Sequence, residues 1–325
     1  MSFGRDKYIY AVSRIRHKET KLLSKKDIEQ MISMQDIESV LRFLSEHGYG
    51  DETSYDSVDT MLRIEGEKVW QFIKELTDDL NVFDFLRIQN DYHNLKAAVK
   101  AVYTETTPDG LFKNGSKYDP ASIYEALNKK EYNLLPDEFS TLAQSALTEL
   151  LRTGDGQLVD IMIDRACLER INTLGRESNE EIVRYYCDTF VASGNIKIAV
   201  RSALMSKPSA FIREALSECD TLDIDKLALC AAKGFDEVCD YLAKTDYKDA
   251  VPAVQESLSA FEKWCDNRLM DVMKTQKSEP FSIGPLVAYV FAKEQEIKAV
   301  RLILSAKENV LSDLVVRERV RDMYV

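Results

Sequence analysis

Glycine and proline are scarce in this chain, twelve and seven among 325 residues. Average usage is about 7% and 5%, so the sequence has few places to turn and must be built from long uninterrupted elements. Alternating apolar and polar runs of strand length are also rare, and no strand–helix alternation marks a parallel sheet. The three histidines, His17, His47 and His93, all lie in the first third, and none stands at i, i+4 from another ligand, as a helix-borne zinc site needs. They read as ordinary surface or helix-end residues. All six cysteines fall between Cys167 and Cys265 with no C-x-x-C pair. They punctuate apolar helical faces, as in IMIDRACL and LALCAA, which is how buried reduced thiols are used.

Other absences concern chemistry. Neither G-x-x-x-x-G-K-[ST] nor G-x-G-x-x-G occurs, and the GYG at Gly48 and GDG at Gly154 lack the lysine or strand context that makes glycine cradle phosphate. A G-x-S-x-G nucleophile elbow is missing as well. The expectation is a chain with no catalytic residues, no cofactor and no metal. The longest apolar run, LVAYVFA from Leu286 to Ala292, has seven residues, far from the roughly 18 that cross a bilayer. MSFGRDKYIYAVSRIRHKETK at the N-terminus is too densely charged for a secretory signal, so a cytoplasmic location is expected. The NGS at Asn114 is then a turn and not a glycosylation acceptor. Lys and Arg number 43 against 55 Asp and Glu, a net charge of −12. An acidic chain is repelled by nucleic acid and by anionic lipid, so neither is an expected direct ligand. Acidic neighbours such as Asp78 with Asp79 and Glu180 with Glu181 read as solvated helix faces.

What the sequence does contain is a repeat. NLKAAVKAV begins at Asn94, NIKIAVRSA at Asn195 and EIKAVRLIL at Glu296, each 101 residues after the last. VDTML at Val58 and VDIMI at Val159 share that offset; a third copy of this upstream marker, in EKWCD around Glu262, Cys265 and Asp266, aligns only with a one-residue slip. Such a period organises nearly the whole chain. The expected domains are residues 1–107, 108–207 and 208–325, each large enough to bury a core.

The spacing is helical throughout. Leu95, Ala98, Val99 and Val102 fall at i, i+3, i+4 and i+7, and Ile196, Ala199, Val200 and Ala203 repeat the pattern. In the third copy Ile297, Val300 and Leu304 stay on the stripe, while Arg301 stands where valine stood, which calls for a more polar setting. An apolar helix precedes each signature. QNDYHN and ASGN read as short breaks with Asp91 and Ser193 capping the next helix; the third junction, AKEQE, has no breaker. Turns are expected at HGYGD (His47–Asp51), TTPDGLFKNGSKYDP (Thr106–Pro120), TGDG (from Thr153) and MSKP (Met205–Pro208). The fold class is all-α.

One polar feature recurs, a lysine beside each stripe: Lys96, Lys197 and Lys298. A long stem can cover the edge of a core while its ammonium stays wet. Alternatively, three equivalent cations around a pseudo-threefold axis would meet an acidic partner. These are the candidate partner-binding residues.

Taken in order, YIYAVSRIRHKETKLLS, NDYHNLKAAVKA, DRACLERI with SGNIKIAVR, and AYVFAKEQEIKAVRLIL resemble the C subunit of the V/A-type rotary ATPases, relative of the vacuolar d subunit, over the whole chain. The resemblance implies three similar helical domains in tandem around a pseudo-threefold axis, funnel-like with a central cavity. It implies a non-catalytic rotor part of the central stalk, seated on the membrane proteolipid ring and receiving the axle subunits of D/F type. Such a part reaches the membrane by docking on protein, without inserting in lipid, and is monomeric when isolated. Two other readings compete. A free-standing helical-repeat scaffold would bind peptides, but such repeats run at about 34 to 47 residues. A helical hydrolase would assemble metal ligands from Asp59, Asp160, Asp164 or Asp266.

Overall fold

The computed structural model describes residues 8–50, 57–77, 79–108 and 110–325. It is all-helical, 76% helix, with no strand among the described residues. The helices are α1 (Ile9–Glu19), α2 (Lys25–Ser33), α3 (Ile37–Glu46), α4 (Val58–Leu76), α5 (Asp84–Thr104), α6 (Pro120–Asn128), α7 (Asp137–Thr153), α8 (Gly156–Glu177), α9 (Glu181–Leu204), α10 (Ser209–Ala215), α11 (Ile224–Lys233), α12 (Phe235–Leu242), α13 (Val251–Glu256), α14 (Leu258–Thr275), α15 (Gly284–Glu308) and α16 (Asp313–Arg319). They fall into two compact units. One joins both ends of the chain, residues up to 81 with 252–325; the other is continuous, 82–251.

The local punctuation repeats as the sequence does. The signature stretches lie on α5, α9 and α15, and the upstream markers on α4, α8 and α14. Each marker helix starts on a side-chain cap: Ser57 accepts from the Thr60 amide, Asp155 from Gln157 and Leu158, and Ser257 from Ala260. Another capped helix follows each linker, with Ser24 opening α2, Asp119 opening α6 and Asp223 opening α11. These caps satisfy amides that a helix start leaves without partners. The signature helices stop identically. Glu105, Ser206 and Val310 each take a left-handed φ of 52–53°. The next amide then bonds back to Ala101, Ser202 or Ala306 at 3.0, 3.0 and 2.9 Å, the closing bond of a Schellman motif.

In the continuous unit α5 packs on α6, α7 and α8, and α9 on α8, α10, α11 and α12. The stripe residues Leu95, Ala98, Val99, Ile196 and Ala199 are fully buried. Phe85 meets Tyr186 edge-on with ring centres 5.0 Å apart, as Tyr92 meets Phe139. In the other unit the third signature helix is covered from the opposite end of the chain. Val300, Ile303 and Leu304 share a core with Leu23, Ile28, Met31 and Ile32 on or beside α2, Val40, Phe43 and Leu44 on α3, and Met61 and Leu62 on α4. The tail closes this unit, where the Tyr324 hydroxyl donates to Glu19 Oε1 at 2.9 Å.

One expectation is corrected. The breaks expected at QNDYHN and ASGN do not exist: α5 and α9 run straight through them, as α15 does through the third junction. The Ser193 hydroxyl donates to the Thr189 carbonyl inside the helix, at 2.6 Å. Gly194 is there for proximity, since a Cβ on it would stand 2.9 Å from Leu168 Cδ2 on α8; Gly175 likewise faces Cys187 Cβ at 2.6 Å. The break before the first signature helix lies earlier, where α4 ends at Leu76 and α5 begins at Asp84. Arg301 stands in the more polar setting expected for it. Val300 is fully buried on α15, as Ala98 and Ala199 are at the same offset on α5 and α9. Arg301 is an outward residue, its side chain 51% exposed. TGDG turns as expected, with Gly154 at φ +67° ending α7. Residues 1–7, Asp51, Asp78 and Asp109, parts of stretches read above, lie outside the described residues.

Candidate functional site: buried clips and paired charges

At the head of each signature helix one polar side chain, wholly buried, fastens a distant segment of backbone. Asn94 accepts from the Lys113 amide at 2.7 Å and donates to the Lys113 carbonyl at 3.0 Å. Asn195 does the same with Ser217, at 2.9 and 2.7 Å. A carboxamide carries one acceptor and two donors, so it can satisfy both halves of a buried peptide group. In each case the fastened segment leads into a capped helix, α6 or α11, that packs on the same signature helix.

The third copy solves this problem with charge. Glu296 Oε2 accepts from the Leu23 amide at 2.6 Å, just ahead of α2, and Oε1 accepts from the Tyr49 hydroxyl at 2.7 Å and from Lys293 Nζ at 2.5 Å. Lys293 also lies 3.6 Å from Glu65 and 4.3 Å from the centre of the Tyr49 ring. Glu65 in turn accepts from the Gly50 amide and from Lys68, at 2.9 and 2.8 Å. Burial and the adjacent Glu296 push the Tyr49 phenol well above its ordinary value, so it stays a donor. Sequence reasoning passed over these residues. The available signal was a polar residue opening each copy of an otherwise apolar stripe.

Asp91, read as a cap, is instead a second clip on the first linker. One carboxylate oxygen accepts from the Lys117 and Tyr118 amides at 2.8 and 3.0 Å, while the other is buried without a partner. Arg87 donates to the Ser116 carbonyl and Lys117 to Asp84, at 2.8 and 2.6 Å. Desolvation outweighs the hydrogen bonds and raises the Asp91 carboxyl to about 6.

The four aspartates considered as metal ligands are each held by a cation. Lys100 meets Asp160 at 2.7 Å, Lys96 meets Asp164 at 2.6 Å, Arg321 meets Asp266 at 3.0 Å, and Arg301 meets Asp59. Asp160 lies 101 residues after Asp59, and Arg301 lies 201 after Lys100, so Lys100–Asp160 and Arg301–Asp59 are similar ion pairs whose cations are one residue out of the repeat register. No group of three His, Cys, Asp or Glu positioned for a metal exists among the described residues. Of the recurring lysines, Lys298 is exposed, whereas Lys96 is committed to Asp164 and Lys197 is half-buried.

His17 lies in the last turn of α1; His47 closes α3, bonding the Phe43 carbonyl at 2.8 Å and stacking on the Phe43 ring. His93 bonds the Leu111 carbonyl of the linker at 3.2 Å. Five cysteines are buried and Cys230 is intermediate, all of them free thiols; burial pushes Cys167 and Cys187 up to about 12. No helix of the described residues is long and apolar enough to cross a membrane.

A molecule whose buried polar groups fasten backbone and whose paired charges join helices is organised for rigidity. Residues 11–319 match the model of the ATP synthase (C/AC39) subunit family, and the chain belongs to that family, a non-catalytic subunit of rotary ATPases. It is similar to the C subunit of the V-type sodium ATPase of Enterococcus hirae, 26% identical over 95% of this chain and 97% of the relative. It is also similar to the C subunit of the A-type ATP synthase of Methanocaldococcus jannaschii, 24% identical over 92% and 82%, and to that of Halorubrum lacusprofundi, 25% identical over 93% and 94%.

Proposed function

We propose that the chain is the coupling piece of the central stalk, joining axle subunits of D/F type to the membrane proteolipid ring and passing torque between them during ATP-linked H⁺ or Na⁺ transport. In this reading residues 1–107, 108–207 and 208–325 supply three similar helical modules set about a pseudo-threefold axis as a funnel. Its cavity receives the axle, and one mouth rests on the ring at the cytoplasmic face. The observation that carries the reading is that the two ends of the chain complete one unit. Tandem repeats strung in a line leave two end faces that need capping, whereas here the third signature helix is completed by the first capped helix, α2, through Glu296 and Leu23. This joining of last copy to first supports a closed set of three, as a rotor part on an axis requires. Close-packed helices resist deformation and transmit strain, which suits a torque-bearing joint.

The test is reconstitution. Purified chain is expected to be monomeric, to hydrolyse no ATP alone, and to form a one-to-one complex with axle subunits and with the detergent-solubilised ring by native mass spectrometry. Binding to neither, with coupled ion transport unchanged when the protein is omitted, would sink the proposal.

A further inference from the structure

Between α14, α15 and the tail that follows α16 lies a pocket of about 280 Å³, at the small end of the range for small-molecule sites. Its walls carry Lys298 and Gln295 from α15, Ser259 and Asp266 from α14, and Arg319 and Arg321 from the tail side. In a chain of net charge −12 this is three cations against one carboxylate, and that carboxylate is already engaged by Arg321 Nε. Arg321 also donates to the Arg319 carbonyl, which holds the tail over the opening. The side chains of Lys298 and Arg319 form no hydrogen bond or salt bridge among the described residues. Half-buried Glu294, one turn before Lys298, has its carboxyl pushed up to about 7 by desolvation, so it opposes the ammonium only weakly near neutrality.

Gln295 makes this more than a basic patch. Only 4% exposed, it lines the pocket, and its amide has no hydrogen-bond partner among the described residues. Its amide atoms open onto the pocket, where water serves them; an anion bound there would take a hydrogen bond from the carboxamide N–H in place of water. We propose that this pocket binds a compact, multiply charged oxyanion, inorganic phosphate or pyrophosphate, with Lys298, Arg319 and Arg321 supplying charge and Gln295 a hydrogen bond from the buried side. Three cationic side chains on two segments, α15 and the end of α16 with its tail, converge as phosphate recognition requires, and the volume suits an anion of that size. The inference stands apart from the coupling role above.

Isothermal titration of the full chain with pyrophosphate and with orthophosphate, at fixed ionic strength, tests it. One saturable site is expected, with pyrophosphate the tighter. Lys298→Gln and Arg319→Gln should each weaken it roughly tenfold, the scale of one charge-assisted hydrogen bond, while Lys129→Gln, at the C-terminal end of α6 in the other unit, leaves it unchanged. Gln295→Leu should weaken binding with little change in thermal stability, because it removes an amide that bonds to no other described residue. The proposal is overturned if no saturable heat appears with either anion, if the Lys298 and Arg319 variants bind as wild type does, or if a polyglutamate peptide binds there and pyrophosphate fails to displace it.

Discussion

The two compact units fasten their helices differently. Within residues 82–251 the clips at Asn94 and Asn195 are neutral, and each holds a segment only 19 or 22 residues further along. In the unit built from both chain ends the clip is Glu296, holding Leu23 across 273 residues through a buried network of two carboxylates, a lysine and a tyrosine. A nearby segment is brought back cheaply, since the entropy of closing a loop grows with its length; one amide exchanging two bonds suffices. Joining chain ends is harder, and charge-assisted bonds are stronger than neutral ones. Buried charge also specifies: a lysine between two glutamates tolerates few alternative packings, although breaking the set is severe.

The comparison is sharpest in paired variants. Glu296→Ala strands Lys293 and removes the acceptor for the Leu23 amide and Tyr49, with an expected loss of about 3–5 kcal/mol by denaturant unfolding. Asn195→Ala removes two neutral bonds and leaves one buried peptide group without partners, an expected loss of about 1–3 kcal/mol. Equal losses would remove the distinction between the two kinds of clip. Hydrogen exchange locates the damage: Glu296→Ala should release α2 and α3, and Asn195→Ala the start of α11.

Asp91 brings charge into the neutral unit, and its signature is a slope with pH. Its folded value of about 6 lies above the ordinary carboxylate range near 3.9, so the folded chain binds this proton more tightly than the unfolded chain. Stability from this group is therefore fully present below about pH 4 and is lost as pH rises through 6. Facing it are Arg87, Lys117, Tyr118 and Glu138. Asp91→Asn, which keeps an acceptor for both amides, should raise thermal stability at pH 7.5, by on the order of 2 kcal/mol, and flatten the pH dependence between 4 and 6. A variant less stable at pH 7.5 would show that the ionised form contributes more through its hydrogen bonds than burial costs.

How much of this was legible in the residues follows the same division. The helical class, the 101-residue period and the turn at TGDG rest on local patterns of apolar spacing and glycine, which a single strand of sequence displays. The continuity of α5 and α9 was hidden because polar and small residues at Asp91, Ser193 and Gly194 look like a break. Their reasons lie on other helices: the Lys117 and Tyr118 amides for Asp91, and Leu168 for Gly194. Joining of the chain ends was equally hidden, since nothing near Leu23 announces Glu296. Lys96, Lys197 and Lys298 were visible as a recurrence, yet Lys96 pairs with Asp164 while Lys298 is exposed, and only packing reveals that difference.

The smallest effect concerns the similar ion pairs of the two units. Lys100–Asp160 is a partly sheltered pair, its side chains 43% and 34% exposed, whereas Arg301 and Asp59 are 51% and 77% exposed. Exposed pairs contribute about 0.2–1 kcal/mol and are screened by salt. A double-mutant cycle on Lys100 and Asp160 should therefore give the larger coupling of the two, with both below about 1 kcal/mol, and the Arg301–Asp59 coupling should vanish first as salt rises. If the cycle on Arg301 and Asp59 returned the larger value, geometry would outweigh exposure there. Arginine's planar fork would then be compensating for the wetter site, and Arg301→Lys isolates that contribution because it keeps the charge and removes the fork.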